Sequence, residues 1–153
     1  MTQAPPSDAV LSEERRSRPA RQAGYVVAIV INALILWVAN NLLAWGWLSW
    51  LTDDFVDVLP AINASLIVTI IAYALFIAYD GEWFRALGDI VTGIYSLLAG
   101  IAMWQVFPFD FSAYAFDWAL VARWVVGLGI FGVSIGILVN VVKLLAMLVR
   151  GGR

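Results

Sequence analysis

The sequence predicts an all-α polytopic membrane protein, a four-transmembrane-helix bundle with its N-terminus and C-terminus both cytoplasmic. Three observations predict it. Of 153 residues, 63% are hydrophobic and 13% charged, with a mean hydropathy of +0.88, well beyond the roughly 45–50% apolar share of soluble domains. Four long apolar runs, residues 25–47, 61–79, 84–107 and 119–142, each approach the ~20 residues that carry a helix across ~30 Å of hydrocarbon. Basic residues fall on alternate sides of these runs. The runs lack the alternating polar positions of barrel strands, so helices are the way to satisfy their backbones in lipid.

Taken in order, residues 1–23 hold "APPSD" and "SEERRSRPARQ" with no apolar period, and read as a flexible cytoplasmic tail. The first apolar run is longer than the about 7–15 residues of a signal-peptide core and is expected to stay as an anchor. Residues 24–149 form one membrane domain, and 150–153 a short cytoplasmic tail. Arg15, Arg16, Arg18 and Arg21 precede the first helix, Arg85 lies at the turn after the second, and Lys143, Arg150 and Arg153 follow the fourth. The other two loops, "LTDDFVDVLP" and "FPFDFSAYAFDW", hold Asp53, Asp54, Asp57, Asp110 and Asp117 and no base. By the positive-inside rule the termini and the 80s turn face the cytoplasm of a plasma membrane. Arg123 alone departs from the pattern, and its long stem is expected to reach the outer headgroups and those aspartates.

Aromatic residues gather at the outer boundary, where ring bodies sit in lipid and polar edges stay wet. Trp45, Trp47 and Trp50 stand at one loop. Phe107, Phe111, Tyr114 and Trp118 stand at the other and would share one side if that loop were helical.

Small residues mark the faces expected to touch protein, because helices in lipid associate by close packing and interhelical hydrogen bonds. Helix four carries Gly129, Gly132 and Gly136, with Asn140 and Lys143 continuing the stripe; helix three carries Gly88, Thr92, Ser96 and Gly100 at four-residue steps. Polar residues lie at two depths. Asn40, Asn41, Asn63, Gln105 and Arg123 lie toward the outer side, and Asn32, Asp89, Asn140 and Lys143 toward the cytoplasm. An amide without a partner in hydrocarbon is costly, so the "NNLLAWGW" pair at Asn40 and Asn41 is expected to act as interhelical glue, with a polar pocket as the sharper reading. Adjacent positions differ by about 100° around a helix, so the two amides point different ways. Asp89 is expected to pair with Arg85 or Lys143, or else to serve as a protonatable group on a transport path.

Cysteine and histidine are absent, which removes thiolate and imidazole metal sites, cysteine nucleophiles and the commonest general base. The net charge of -2, without a basic surface, argues against a nucleic-acid partner. "TDDFVD" lacks the glycine turn and distal glutamate of a calcium loop. No cofactor, metal or catalytic residue is expected, and the chain is read as a non-enzyme.

The stretches "LILWVANNLLAWGWLSWLT", "AYDGEWFRALGDI" and "FPFDFSAYAFDWALVAR" resemble a set of small four-helix membrane proteins from GC-rich bacteria, over residues 25–149. That resemblance implies a fold and a bacterial source but no activity. The first helix lacks the glutamate that small multidrug exporters use, and no histidine ligands of the haem-carrying four-helix subunits are present. The leading expectation is a scaffold or accessory subunit whose partners are the lipid bilayer and either itself or another membrane protein. The alternative is a subunit of an oligomeric transporter or channel using Asp89 and Arg123. An enzyme built on the loop aspartates ranks third, because exposed acids have nothing to raise their pKa.

Overall fold

A computed structural model describes residues 8–151, with side chains for 19–150. The side chains of Arg15, Arg16 and Arg18, residues 1–7 of the expected tail, and Arg153 lie outside that description. Four helices follow one another: α1 Asp8–Trp45, α2 Phe55–Ala78, α3 Glu82–Val106 and α4 Trp118–Gly151. Each is long and apolar enough to cross a membrane, the pattern of a multi-pass membrane protein.

Helix α1 starts at Asp8, well before Tyr25, so part of the stretch read as flexible tail has helical backbone. Its glutamate, arginine and alanine residues are good helix formers. The helix ends where Gly46 takes a φ of +62° and donates its N–H to Leu43 O at 3.2 Å. A left-handed residue at that position is the usual stop for a helix, and glycine takes it without a Cβ penalty.

Helix α2 starts at Phe55 rather than Ala61 and runs through Pro60. The proline removes the N–H that would reach Val56 O, one ladder bond lost in the second turn of the helix. Asp57 in the first turn suits the positive end of the helix dipole.

Residues 79–81 join α2 to α3. The N–H of Tyr79 closes α2 on Leu75 O at 2.8 Å. A Cβ on Gly81 would lie 2.6 Å from the Tyr79 ring, so a larger residue there would have to push that exposed ring aside.

Helix α3 ends at Phe107, whose φ of 45° is left-handed and strained for a bulky residue. Helix α4 begins beside Asp117, whose carboxylate accepts the Leu120 N–H at 3.0 Å as an N-cap does. It continues to Gly151, nine residues past Val142, and its 34 residues span about 51 Å at ~1.5 Å each.

Among the described residues the helices pack only as chain neighbours, α1 on α2, α2 on α3 and α3 on α4. The four therefore form an open row, and the bundle does not close between α1 and α4. The core is thin. It gathers around α2, with Phe55, Val58, Ser65, Ala72 and Phe76 buried, joined by Ala39 and Ala86, while none of the described residues of α4 is fully buried. Trp37, Ile71, Leu98, Trp124, Leu128 and Phe131 are exposed, and helices apolar on every side are what a lipid environment selects.

At the end opposite the Asp80 turn, the two longer loops pair. Leu51 and Phe109 form an isolated antiparallel bridge, Thr52 N–H donates to Pro108 O at 3.0 Å and Asp110 N–H to Trp50 O at 2.7 Å. Pro108 is fully buried, and Trp50 stacks on Phe111 with centroids 5.6 Å apart. Residues 107–117 are not helical, so Phe107, Phe111, Tyr114 and Trp118 do not form one helical face; the pairing with residues 50–52 holds that backbone instead. Ser112 donates its N–H to Asp110 at 2.9 Å, which holds the exposed Asp110 carboxyl below the usual carboxylate range. Its small contribution to the loop is present above the unfolded pKa and is lost as pH falls through the lower folded value.

Candidate functional site

The small residues of α3 sit at both of its seams. A Cβ on Gly88 would overlap the Phe76 ring of α2, and Ser96 Oγ lies 3.1 Å from Ser65 Oγ on the same neighbour. Thr92 turns its hydroxyl to Asp89 O at 3.2 Å. Toward α4, Cβ atoms built on Gly93 and Gly100 would lie 2.7 Å from Ile137 and 3.0 Å from Ile130. Two isoleucines of α4 thus seat in glycine notches of α3.

The glycines of α4 behave differently. A Cβ built on Gly129, Gly132 or Gly136 would meet no atom within 4 Å. Residues 129, 133, 136, 140, 143 and 147 recur at steps of three and four, which places them on one helix face. Halfway along the row, Gly129 and Val133 border a hollow of about 310 Å³ closed by Ile62 of α2 and Gly100 of α3. Toward the Asp80 turn the same face borders a larger cavity of about 430 Å³, where Asn140 and Lys143 meet Asp89 and Arg85 of α3, Tyr73 of α2 and Tyr25 of α1. All four helices reach this cavity, the size of an ordinary small-molecule site of about 300–1,000 Å³.

Tyr25 and Arg85 of its lining also belong to an ion cluster around Asp80. Arg21 Nη2 lies 3.1 Å from Asp80 Oδ2, and Arg85 Nε lies 3.3 Å from Oδ1 but without the alignment of a hydrogen bond. Tyr25 donates its hydroxyl to Oδ1 at 3.3 Å and accepts from Arg85 Nη1 at 3.4 Å. Tyr25 also stacks on Tyr73 with centroids 5.8 Å apart. The cluster ties α1 to the turn and to the start of α3, and the acid just ahead of α3 suits that helix's positive end.

Arg85 is thereby committed to Asp80. Among the described residues Asp89 makes no ion pair with Arg85 or Lys143, and Lys143 makes none at all; the expected clasp is open. Both cations are close enough to act on the Asp89 charge, across the cavity.

The other polar residues are settled locally. Asn40 and Asn63 exchange side-chain hydrogen bonds, Asn40 Nδ2 to Asn63 Oδ1 at 2.7 Å and Asn63 Nδ2 to Asn40 Oδ1 at 3.0 Å. Asn41 points away and donates to its own Trp37 O at 2.7 Å. One amide of the Asn40–Asn41 pair therefore joins α1 to α2, and the other bonds back to a carbonyl of its own helix. Asn32 donates to Ala28 O at 2.7 Å and Asn140 to Gly136 O at 3.1 Å. Gln105 borders a shallow apolar hollow with Trp104 and Gly127. The Arg123 guanidinium lies over the Phe107 ring at 4.2 Å and near Trp104 at 5.7 Å. That cation–π contact, of about 0.5–1 kcal/mol when exposed, takes the place of the expected aspartate partners and covers the strained end of α3. Asp53, Asp54 and Asp57 are exposed, and among the described residues no three potential ligands gather as a metal site.

Asp80, Tyr25 and Tyr73 were not candidates on sequence grounds. The one available signal was Asp80 itself, the sole acid of a turn flanked by apolar helices and followed five residues later by Arg85.

No family model, no curated protein and no solved structure matches this chain. The groove presents separated charges at one end and a bare glycine face along one wall.

Proposed function

We propose that the chain is a non-enzymatic membrane subunit, a scaffold or accessory protein that works by packing its helices against a second copy or another membrane protein. One observation supports it above the rest. Among the described residues helix α4, 34 residues long, packs on α3 alone, while a Cβ added at Gly129, Gly132 or Gly136 would have open space around it. In lipid, close backbone approach over small residues is a main source of helix association, and a bare glycine face accommodates such an approach. Gly132→Leu or Gly136→Leu is expected to shift the detergent-solubilised protein toward its smaller species, at unchanged helicity by circular dichroism. Unaltered assembly in both variants counts against the proposal.

The same reading sets the chain in a bacterial plasma membrane with both termini and the Asp80 turn cytoplasmic. Support comes from the arginines and Lys143 toward that end and from loops at the other end that hold acids only. Reporters fused to either terminus should be active only on the cytoplasmic side, and activity outside would reverse the orientation.

A subunit of an oligomeric transporter or channel is the second reading, favoured by Asp89 lining the larger cavity with Lys143. It ranks lower because Arg123 is taken up by Phe107 and the hollow between the two ends is walled by Ile62, Val126 and Val133. Ions need a polar or hydrated lining along their route. Flux in proteoliposomes that Asp89→Asn abolishes would invert this ranking.

A further inference from the structure

The cavity at the Asp80 turn holds charges of both signs that are not spent on each other. Asp89 of α3 and Lys143 of α4 line the same space of about 430 Å³, and among the described residues neither closes an ion pair. Were they a structural clasp, their charges would meet, because an unpaired charge near hydrocarbon is costly. Arg85 cannot substitute as the partner, since it is held by Asp80 and Tyr25. Asn140 spends its amide N–H on Gly136 O, which leaves its carbonyl oxygen free to accept. The α3 wall thus offers an acceptor at Asp89, and the α4 wall offers an acceptor at Asn140 and a cation at Lys143.

A purely anionic ligand would meet Asp89 and Glu82, and a purely cationic one would meet Lys143 and Arg85; all four line the cavity. A ligand with separated opposite charges avoids both conflicts. We propose that this cavity binds a zwitterion with one primary ammonium and one phosphate, as found in an ethanolamine phospholipid headgroup or in free phosphoethanolamine. The ammonium donates to Asp89 and to the Asn140 carbonyl, and the phosphate accepts from Lys143. The cavity is reached from the side as well as the end, since Tyr25 of α1 and Lys143 of α4 both border it while α1 and α4 do not pack together. The lateral gap gives a lipid headgroup a way in that leaves its chains in the bilayer. On α4 the site uses Asn140 and Lys143, about 6 Å and 10 Å along the helix from Gly136 at ~1.5 Å per residue, so a partner helix centred on Gly129 and Gly132 would lie farther along the groove.

The test uses the full chain, delipidated in detergent, with native mass spectrometry as readout. Three probes are offered: phosphatidylethanolamine, phosphatidylglycerol, and free phosphoethanolamine. The wild type is expected to retain phosphatidylethanolamine at least about tenfold better than phosphatidylglycerol, roughly the effect of one charge-assisted hydrogen bond. Asp89→Asn should erase that preference without weakening phosphatidylglycerol, and Lys143→Gln should weaken both lipids. Retention of the lipid alone supports a bilayer source, and retention of free phosphoethanolamine as well supports a soluble one. Equal retention of the two lipids by the wild type overturns the proposal without recourse to any variant. So does an intact preference in Asp89→Asn with native helicity. Assembly size is read in the same spectra, so failure here and failure of the scaffold reading are told apart.

Discussion

Gly88→Leu is expected to destabilise the protein more than any other single change on α3. Even a Cβ at that position would overlap the Phe76 ring, and Phe76 is 2% exposed, wedged against Tyr25, Tyr73 and Phe84. The ring cannot swing away without displacing that aromatic set. Overpacking of a tight site costs about 1–3 kcal/mol, and four added carbons against a hemmed ring place this case at the upper end. Thermal unfolding in detergent, followed by circular dichroism, should show the loss. Pairing Gly88→Ala with Phe76→Leu should recover part of what Gly88→Ala alone loses. Full stability in Gly88→Leu would mean that the α2–α3 seam is looser than described.

The second large effect belongs to Asp80→Asn. Its side chain is 11% exposed and serves Arg21, 42% exposed, and Arg85, 29% exposed. Removing one member of a buried pair costs about 3–5 kcal/mol because a charge is left behind, while exposed pairs yield about 0–1. Arg85 lies between these limits, so a loss of about 2 kcal/mol is expected from Asp80→Asn, and under about 1 from Arg21→Ala. Equal losses in the two variants would show that the outer arginine, not Arg85, carries the cluster. The expected unfolding should begin at the α1 end, where Tyr25 loses its acceptor.

Composition and charge placement made the four spans legible, because lipid penalises polar backbone and charge so heavily that few alternatives survive. Helix ends were less so. Pro60 reads as a boundary and is carried inside α2; Lys143 and Arg150 read as the exit from the membrane, yet α4 continues through both. Both cases mix a membrane rule with a helix rule, and the helix does not stop where the bilayer does. Interhelical pairing was legible in type but not in address. Asn40 called for a partner and found Asn63, since both lie near the same depth. Arg85 called for a carboxylate and met Asp80 rather than Asp89: one turn of helix separates Arg85 from Asp89, but the bend at Gly81 brings Asp80 back over the helix start. Arg123 settled on Phe107 because the strained backbone at that residue turns the ring under the guanidinium, which no periodicity in the sequence announces.

A row in which every helix touches only the one made just before or just after it has a bearing on biogenesis. As each span leaves the ribosome, its docking surface is already in the bilayer, and no earlier span has to be moved aside to admit it. Contacts of short sequence separation also close quickly. Maturation of this chain can therefore proceed as successive hairpins in order of synthesis, with α4 the last to arrive.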